Sequence, residues 1–126
     1  MRILSPPPSQ VTEFNGIWMS WINLFYETFA RTHLIGSETV TAAATADKKS
    51  IIYVDATSAA VTITLPKVAK NESLTYYIKK IDSSVNAVTI DGNGSETIDG
   101  ATTQSLPNQY DSIIVNCTGS QWFKIG

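Results

Sequence analysis

Cysteine is nearly absent from this chain, and its scarcity removes several kinds of chemistry at once. Cys117 stands alone among 126 residues, so neither an intrachain disulfide nor a cysteine-cluster metal site can form. It lies in the apolar run SIIVNC, where a buried thiol is the expectation. Histidine is equally scarce: His33 is the only one, which leaves no set of imidazole ligands and no HExxH arrangement. Charge of either sign is thin, at 16% of residues with a formal net charge of −2. Lysines pair at Lys48–Lys49 and Lys79–Lys80, but neither pair extends into the basic stripe that attracts a phosphate backbone. Nucleic acid is therefore not an expected partner.

Long apolar runs are missing as well. The uncharged aromatic stretch Phe14–Tyr26 would cover roughly 20 Å as a helix, short of a bilayer core of about 30 Å. No transmembrane segment is expected. Pro6, Pro7 and Pro8 occupy the place where a secretory apolar segment would begin, so a signal peptide is not expected either.

What the chain does contain is a change of period. Residues 1–11 carry the run SPPPS; successive prolines remove backbone donors and favour an extended arm. Residues 12–36 read as an amphipathic docking helix and linker. Thr12 is placed to cap it and Glu13 to meet its exposed amides. Phe14, Trp18, Trp21 and Phe25 recur at helical spacing, and Ile22, Tyr26 and Phe29 widen the apolar surface. Six of the twelve aromatic residues fall between residues 14 and 29, more than a solitary helix can leave in water. Phe14, Trp18, Trp21, Phe25 and Phe29 are accordingly the candidate partner-binding residues.

Residues 37–126 switch to short Val/Ile/Thr-rich alternation. Strands are expected near 38–42, 50–55, 60–65, 74–81, 87–91, 97–98, 102–106, 111–117 and 121–125. Pro66, Gly92–Asn93–Gly94, Asp99–Gly100 and Thr118–Gly119–Ser120 punctuate them. Short strands and tight turns imply a mainly β fold, a compact antiparallel sandwich or barrel-like module behind an amino-terminal α-helix.

No catalytic, cofactor-binding or metal-binding residues are expected. The stretch DGNGSETID places oxygen groups at Asp91, Asn93, Ser95, Thr97 and Asp99. A calcium loop fails there because Glu96 replaces the sixth-position glycine and Thr102 the twelfth-position glutamate. Two β-turns explain the same residues. Asp91 and Asp99 as a glycosidase pair lack any indicated cleft, and no nucleophile elbow supports a serine–histidine–acid triad. Gly92, Gly94 and Gly100 do not follow phosphate-loop spacing. Tyr76, Tyr77, Tyr110, Trp122 and Phe123 form a possible stacking surface, but strand neighbours face opposite ways, so one of each adjacent pair should be core.

From Ile51 to Gly126 the chain resembles a small β module of bacteriophage tail-fibre and related virion fibre proteins, through YYIKKIDSS, VTIDGNGSETIDG, QYDSIIV and the closing GSQWFKI. The resemblance implies a closely packed or intertwined homotrimer located in the virion. It assigns the structural framework to Tyr76, Tyr77, Ile78, Val88, Ile90, Ile98, Ile113, Val115, Trp122 and Phe123, and implies no catalytic role. A non-enzymatic short head or tail fibre, fibre base or capsid decoration is the expectation, attached to a capsid, portal or tail protein through its amino-terminal helix. The alternative is a host-surface module that binds a glycan.

Overall fold

The computed structural model describes residues 36–47 and 49–126, together with Ile22 and Asn23. Ile22 and Asn23 are helical, the first half-buried and the second exposed. The proline arm and the rest of the expected docking helix, including Phe14, Trp18, Trp21, Phe25 and Phe29, lie outside the described residues.

Among the described residues, nine strands follow in order: β1 (Ser37–Val40), β2 (Ala44–Thr45), β3 (Ile51–Val54), β4 (Val61–Thr64), β5 (Thr75–Lys80), β6 (Val88–Asp91), β7 (Thr103–Leu106), β8 (Ser112–Cys117) and β9 (Trp122–Lys124). They form two sheets, one of five strands ordered β1-β3-β5-β8-β9 and one of four ordered β2-β4-β6-β7. The mainly β expectation is met. The antiparallel expectation is corrected: β1, β3 and β5 pair in parallel, as do β2, β4 and β6. Only β7, β8 and β9 run antiparallel to their neighbours.

The physical reason lies in the connections. Parallel neighbours require a crossover, and here each crossover is a strand of the opposite sheet. The chain passes from β1 to β2, from β3 to β4 and from β5 to β6, laying each pass beside the last in a short two-sheet coil. Alternation of apolar and polar side chains is the same in parallel and antiparallel strands, so it carries no information about direction.

Winding in register stacks like upon like. Ile52, Ile78 and Ile113 form one inward column in the five-stranded sheet. Val61, Val88 and Leu106 form another in the four-stranded sheet, beside Ala44, Ile63 and Ile90. Tyr76 and Trp122 are fully buried, their rings 5.8 Å apart and inclined by 49°. Each large side chain removed from water contributes about 1.5–3 kcal/mol.

The two ends of the coil differ. Beyond β9, Ile98 bridges in parallel to Trp122 and antiparallel to Ala101. The Asp99 amide donates to the Trp122 carbonyl at 3.1 Å, and the Lys124 amide donates to the Asp99 carboxylate at 2.9 Å. The reversal itself uses Asp99 and Gly100 at φ 52° and 83°, the double left-handed geometry of a type I′ turn. The expected strand at 97–98 is therefore a bridge within this stitch. At the other end β1 and β2 each have a single neighbour. There Glu38, half-buried, occupies the inward column above Ile52, and an inward charge on a short edge strand opposes pairing with a further strand.

Replacing Trp122 with Ala should lower the unfolding free energy by about 3–5 kcal/mol, read as a shift in the urea midpoint by circular dichroism. A loss below about 1 kcal/mol would contradict its central place in the core.

Candidate functional site

The outer faces of the two sheets differ: the four-stranded sheet's is polar, while the five-stranded sheet's sets apolar side chains among Ser37, Thr39, Thr75, Lys79, Ser112 and Asn116. On the four-stranded sheet, Thr62, Thr64, Thr89, Asp91, Thr103 and Ser105 point away from the core. On the five-stranded sheet, register places Ile51, Tyr77 and Ile114 in one row. Ile125 extends that row, its amide donating to the Ile114 carbonyl at 2.7 Å. Tyr53 and Lys79 form a second row, and Phe123 stands beside Asn116 in a third. Tyr53, Tyr77, Phe123 and Ile125 are 36%, 44%, 40% and 63% exposed. Isolated exposed apolar residues need no explanation; the row Ile51–Tyr77–Ile114–Ile125, flanked by Tyr53 and Phe123, is a candidate contact strip on a face it shares with polar side chains.

Strand geometry decides which aromatics reach that face. In the adjacent pair Tyr76–Tyr77 the first is core and the second exposed; in Trp122–Phe123 the first is again core and the second exposed. Tyr110, at φ 68°, projects from the loop before β8, and the Lys79 ammonium lies 5.4 Å from its ring centroid. A cation held over a ring is attracted by the ring's quadrupole. Of the five aromatics named from sequence, the structure therefore brings out Tyr77, Tyr110 and Phe123 and withdraws Tyr76 and Trp122. Tyr53 and the isoleucines of the same face were not singled out; the in-register alignment of IIYV with YIKK is the signal that would have found them.

The turn acids are occupied within the chain. Asp91 accepts from the Asn93 amide at 3.2 Å, while the Asn93 side chain donates to the Leu65 carbonyl at 3.0 Å. Glu96 accepts from the Val68 amide at 3.1 Å. Gly92 is required by space, since a Cβ there would lie 2.3 Å from the Glu96 carbonyl oxygen. These groups hold loops rather than converge. Among the described residues, no three His, Cys, Asp or Glu side chains are placed to share a metal ion. His33 lies outside the described residues. Cys117 is buried, as expected, and burial pushes its thiol pKa up. Burial also pushes up the Tyr76 hydroxyl.

A charge inside the core was not foreseen. Lys80 is fully buried and follows Val54 in an inward column. Its ammonium meets the Asp82 carboxylate at 2.6 Å and the Asp82 carbonyl at 3.1 Å. Asp82 also accepts from the Ala56 amide at 2.7 Å, the Ser84 amide at 3.0 Å and the Ser84 hydroxyl. The Asn86 side chain completes the knot by donating to the Ala56 carbonyl at 2.9 Å. The cluster ties the loop after β3 to the loop after β5, joining successive passes of the coil. Burial alone would raise the Asp82 pKa, but the Lys80 ammonium, the Ser84 hydroxyl and the two amides outweigh it and hold the carboxyl well below the usual range.

The chain matches no protein-family model and no curated protein sequence.

The sign of the acid dependence follows from Asp82. Its folded pKa is depressed, so its stabilisation is present above the unfolded value of about 3.9 and is lost as pH falls toward the folded one. The urea midpoint should therefore stay level from about pH 5 to 8 with respect to this group and decline below about pH 4. Asp82→Asn should flatten that decline while lowering stability at neutral pH. Lys80→Ala should cost about 3–5 kcal/mol by leaving the carboxylate without its counter-charge. An acid decline of unchanged size in Asp82→Asn would remove the cluster as its source.

Proposed function

We propose that this protein is a structural component of a bacteriophage virion, a short head or tail fibre, fibre base or capsid decoration that assembles as a homotrimer. One observation carries the reading furthest: an apolar row, Ile51–Tyr77–Ile114–Ile125, on the outer face of a module whose turn acids are engaged in holding its own backbone. Such a surface is suited to packing. The resemblance of Ile51–Gly126 to fibre modules supplies the class of assembly.

The mechanism is noncovalent and requires no enzymatic step. The β module provides a rigid body, and the amino-terminal aromatics Phe14, Trp18, Trp21, Phe25 and Phe29 dock into a capsid, portal or tail protein. One large side chain contributes about 1.5–3 kcal/mol when buried. Three chains acting together multiply that gain against an association cost of about 4–15 kcal/mol. No residue of the reading calls for a cofactor.

A second reading, a host-surface glycan-binding module, is favoured by the exposed rings of Tyr77, Tyr110 and Phe123, because flat rings stack against sugar faces. It requires those rings to remain free in the assembled particle.

Removing residues 1–36, or changing Trp18, Trp21 and Phe25 to Ala in the full chain, should abolish incorporation into particles. Light-scattering mass measurements on the same proteins separate lost anchoring from lost trimerisation. Undiminished incorporation would reject the anchor, and a monomeric mass for the unmodified chain would reject the trimer. On a glycan array, binding that disappears in Tyr77→Ala would favour the second reading.

A further inference from the structure

The loop after β6 contains a reactive dipeptide whose side chain is also one of the loop's fastenings. Asn93 precedes Gly94, and the two adopt left-handed conformations at φ 75° and 63°, which asparagine and glycine accept more readily than other residues. The Asn93 side chain donates to the Leu65 carbonyl at 3.0 Å. That carbonyl has no second donor among the described residues. Gly94 is exposed, and its amide has no acceptor among the described residues. A Cβ built on it would meet nothing within 4 Å. The nitrogen that follows the Asn93 carboxamide is therefore free of both a shielding side chain and a hydrogen bond.

That combination sets up a ring closure. Once hydroxide removes the Gly94 amide proton, the nitrogen attacks Asn93 Cγ. The new C–N bond forms as Cγ–Nδ2 breaks, and the nitrogen leaves as ammonia with a proton from water. The resulting cyclic imide then takes up water. Opening at Cγ gives aspartate; opening at the main-chain carbonyl gives isoaspartate, with an extra methylene in the backbone. The sum is carboxamide plus water to carboxylate plus ammonium, and no oxidant or reductant enters. Asn71, Asn86, Asn108 and Asn116 instead precede Glu72, Ala87, Gln109 and Cys117, whose Cβ atoms hinder the approach that glycine permits.

The closed loop opposes the reaction, and the product opposes the closed loop. Bringing Cγ onto the Gly94 nitrogen requires the side chain to leave Leu65. The backbone of Asn93 is fixed as well, its amide donating to the Asp91 carboxylate at 3.2 Å and its carbonyl accepting from the Glu96 amide at 3.1 Å. Local opening of the loop supplies the needed freedom. After conversion, position 93 presents a carboxylate where the Leu65 carbonyl needs a donor. Isoaspartate also lengthens a loop so tight that a Cβ on Gly92 would lie 2.3 Å from the Glu96 carbonyl oxygen. We propose that Asn93 is a spontaneous deamidation site, restrained by its bond to Leu65 and released by opening of the loop. Its conversion permanently unfastens the loop after β6 from the end of β4. This chemistry goes beyond the virion reading and holds or fails without it.

The test uses the full chain. After incubation at mildly alkaline pH, peptide mapping by mass spectrometry should show Asn93 converting severalfold faster than Asn71, Asn86 and Asn116 in the same sample. Asn15–Gly16 repeats the dipeptide outside the described residues and is followed by its own peptide. Denaturant should speed conversion at Asn93 severalfold over the rate in buffer. Asn93→Asp, which makes the aspartate product directly, should shift the urea midpoint downward. Conversion at Asn93 no faster than at the other three asparagines would overturn the proposal. So would equal rates in buffer and denaturant, or an unchanged midpoint for Asn93→Asp. The mapping arms need no substitution, so they decide the matter even if that variant fails to fold.

Discussion

Registration between successive passes of the chain is the constraint on which the remainder of this structure depends. Each pass must leave one sheet, cross to the other and return beside its predecessor with inward residues aligned. Ile52 over Ile78, Ile63 over Ile90 and Val61 over Val88 satisfy that requirement. A slip of one residue would turn every one of them toward water. Hydrophobic columns alone tolerate a slip of two residues better, because the inward pattern is then restored. The Lys80–Asp82 cluster removes that tolerance. Asp82 receives the amide of Ala56 only when the loop after β3 lies at the correct height beside the loop after β5. The ion pair thus helps specify register, a role better attested for buried charges than net stabilisation.

Burying Lys80 while leaving Tyr77 and Phe123 outside looks inverted until the costs are compared. A buried ammonium is tolerable because the carboxylate and carbonyl of Asp82 surround it within hydrogen-bonding distance. An exposed aromatic row costs far less, since much of any protein surface is apolar. What distinguishes this row is its continuity across strands, from Ile51 through Tyr77 and Ile114 to Ile125. The opposite sheet has the same strand geometry yet turns hydroxyls outward. The difference lies in side-chain choice, not backbone.

Much of this organisation could be read from residue order, though unevenly. Val61–Thr62–Ile63–Thr64 declares its inward face unambiguously, and the Asp99–Gly100 reversal follows from turn chemistry. Alternation also divided Tyr76 from Tyr77 and Trp122 from Phe123. Strand direction was hidden, because side-chain period is indifferent to it and the crossovers here contain short strands instead of helices. Lys80 was hidden for a different reason: Leu74, Tyr76, Ile78 and Lys80 alternate with Thr75, Tyr77, Lys79 and Ile81, which does not single out the inward set, and only the folded loop brings Asp82, Ser84 and Ala56 around it. The aromatic face required the register of β3 against β5, which no local pattern contains. The candidate anchor residues Phe14, Trp18, Trp21, Phe25 and Phe29 lie outside the described residues.

The edges determine how such a module can associate. A two-sheet coil presents unpaired backbone at its ends, and that backbone is the ordinary route to uncontrolled strand addition. Here the end beyond β9 is stitched by residues 97–101. At the opposite end β2 has only two residues and β1 carries Glu38 in its inward column. Another strand added there would enclose that carboxylate further and strip away its water, a cost with no cation supplied in return. The five-stranded sheet's outer face carries no comparable deterrent; its central charge, Lys79, lies over the Tyr110 ring. Association through side chains on a face is limited by shape, whereas association through edges can repeat without end.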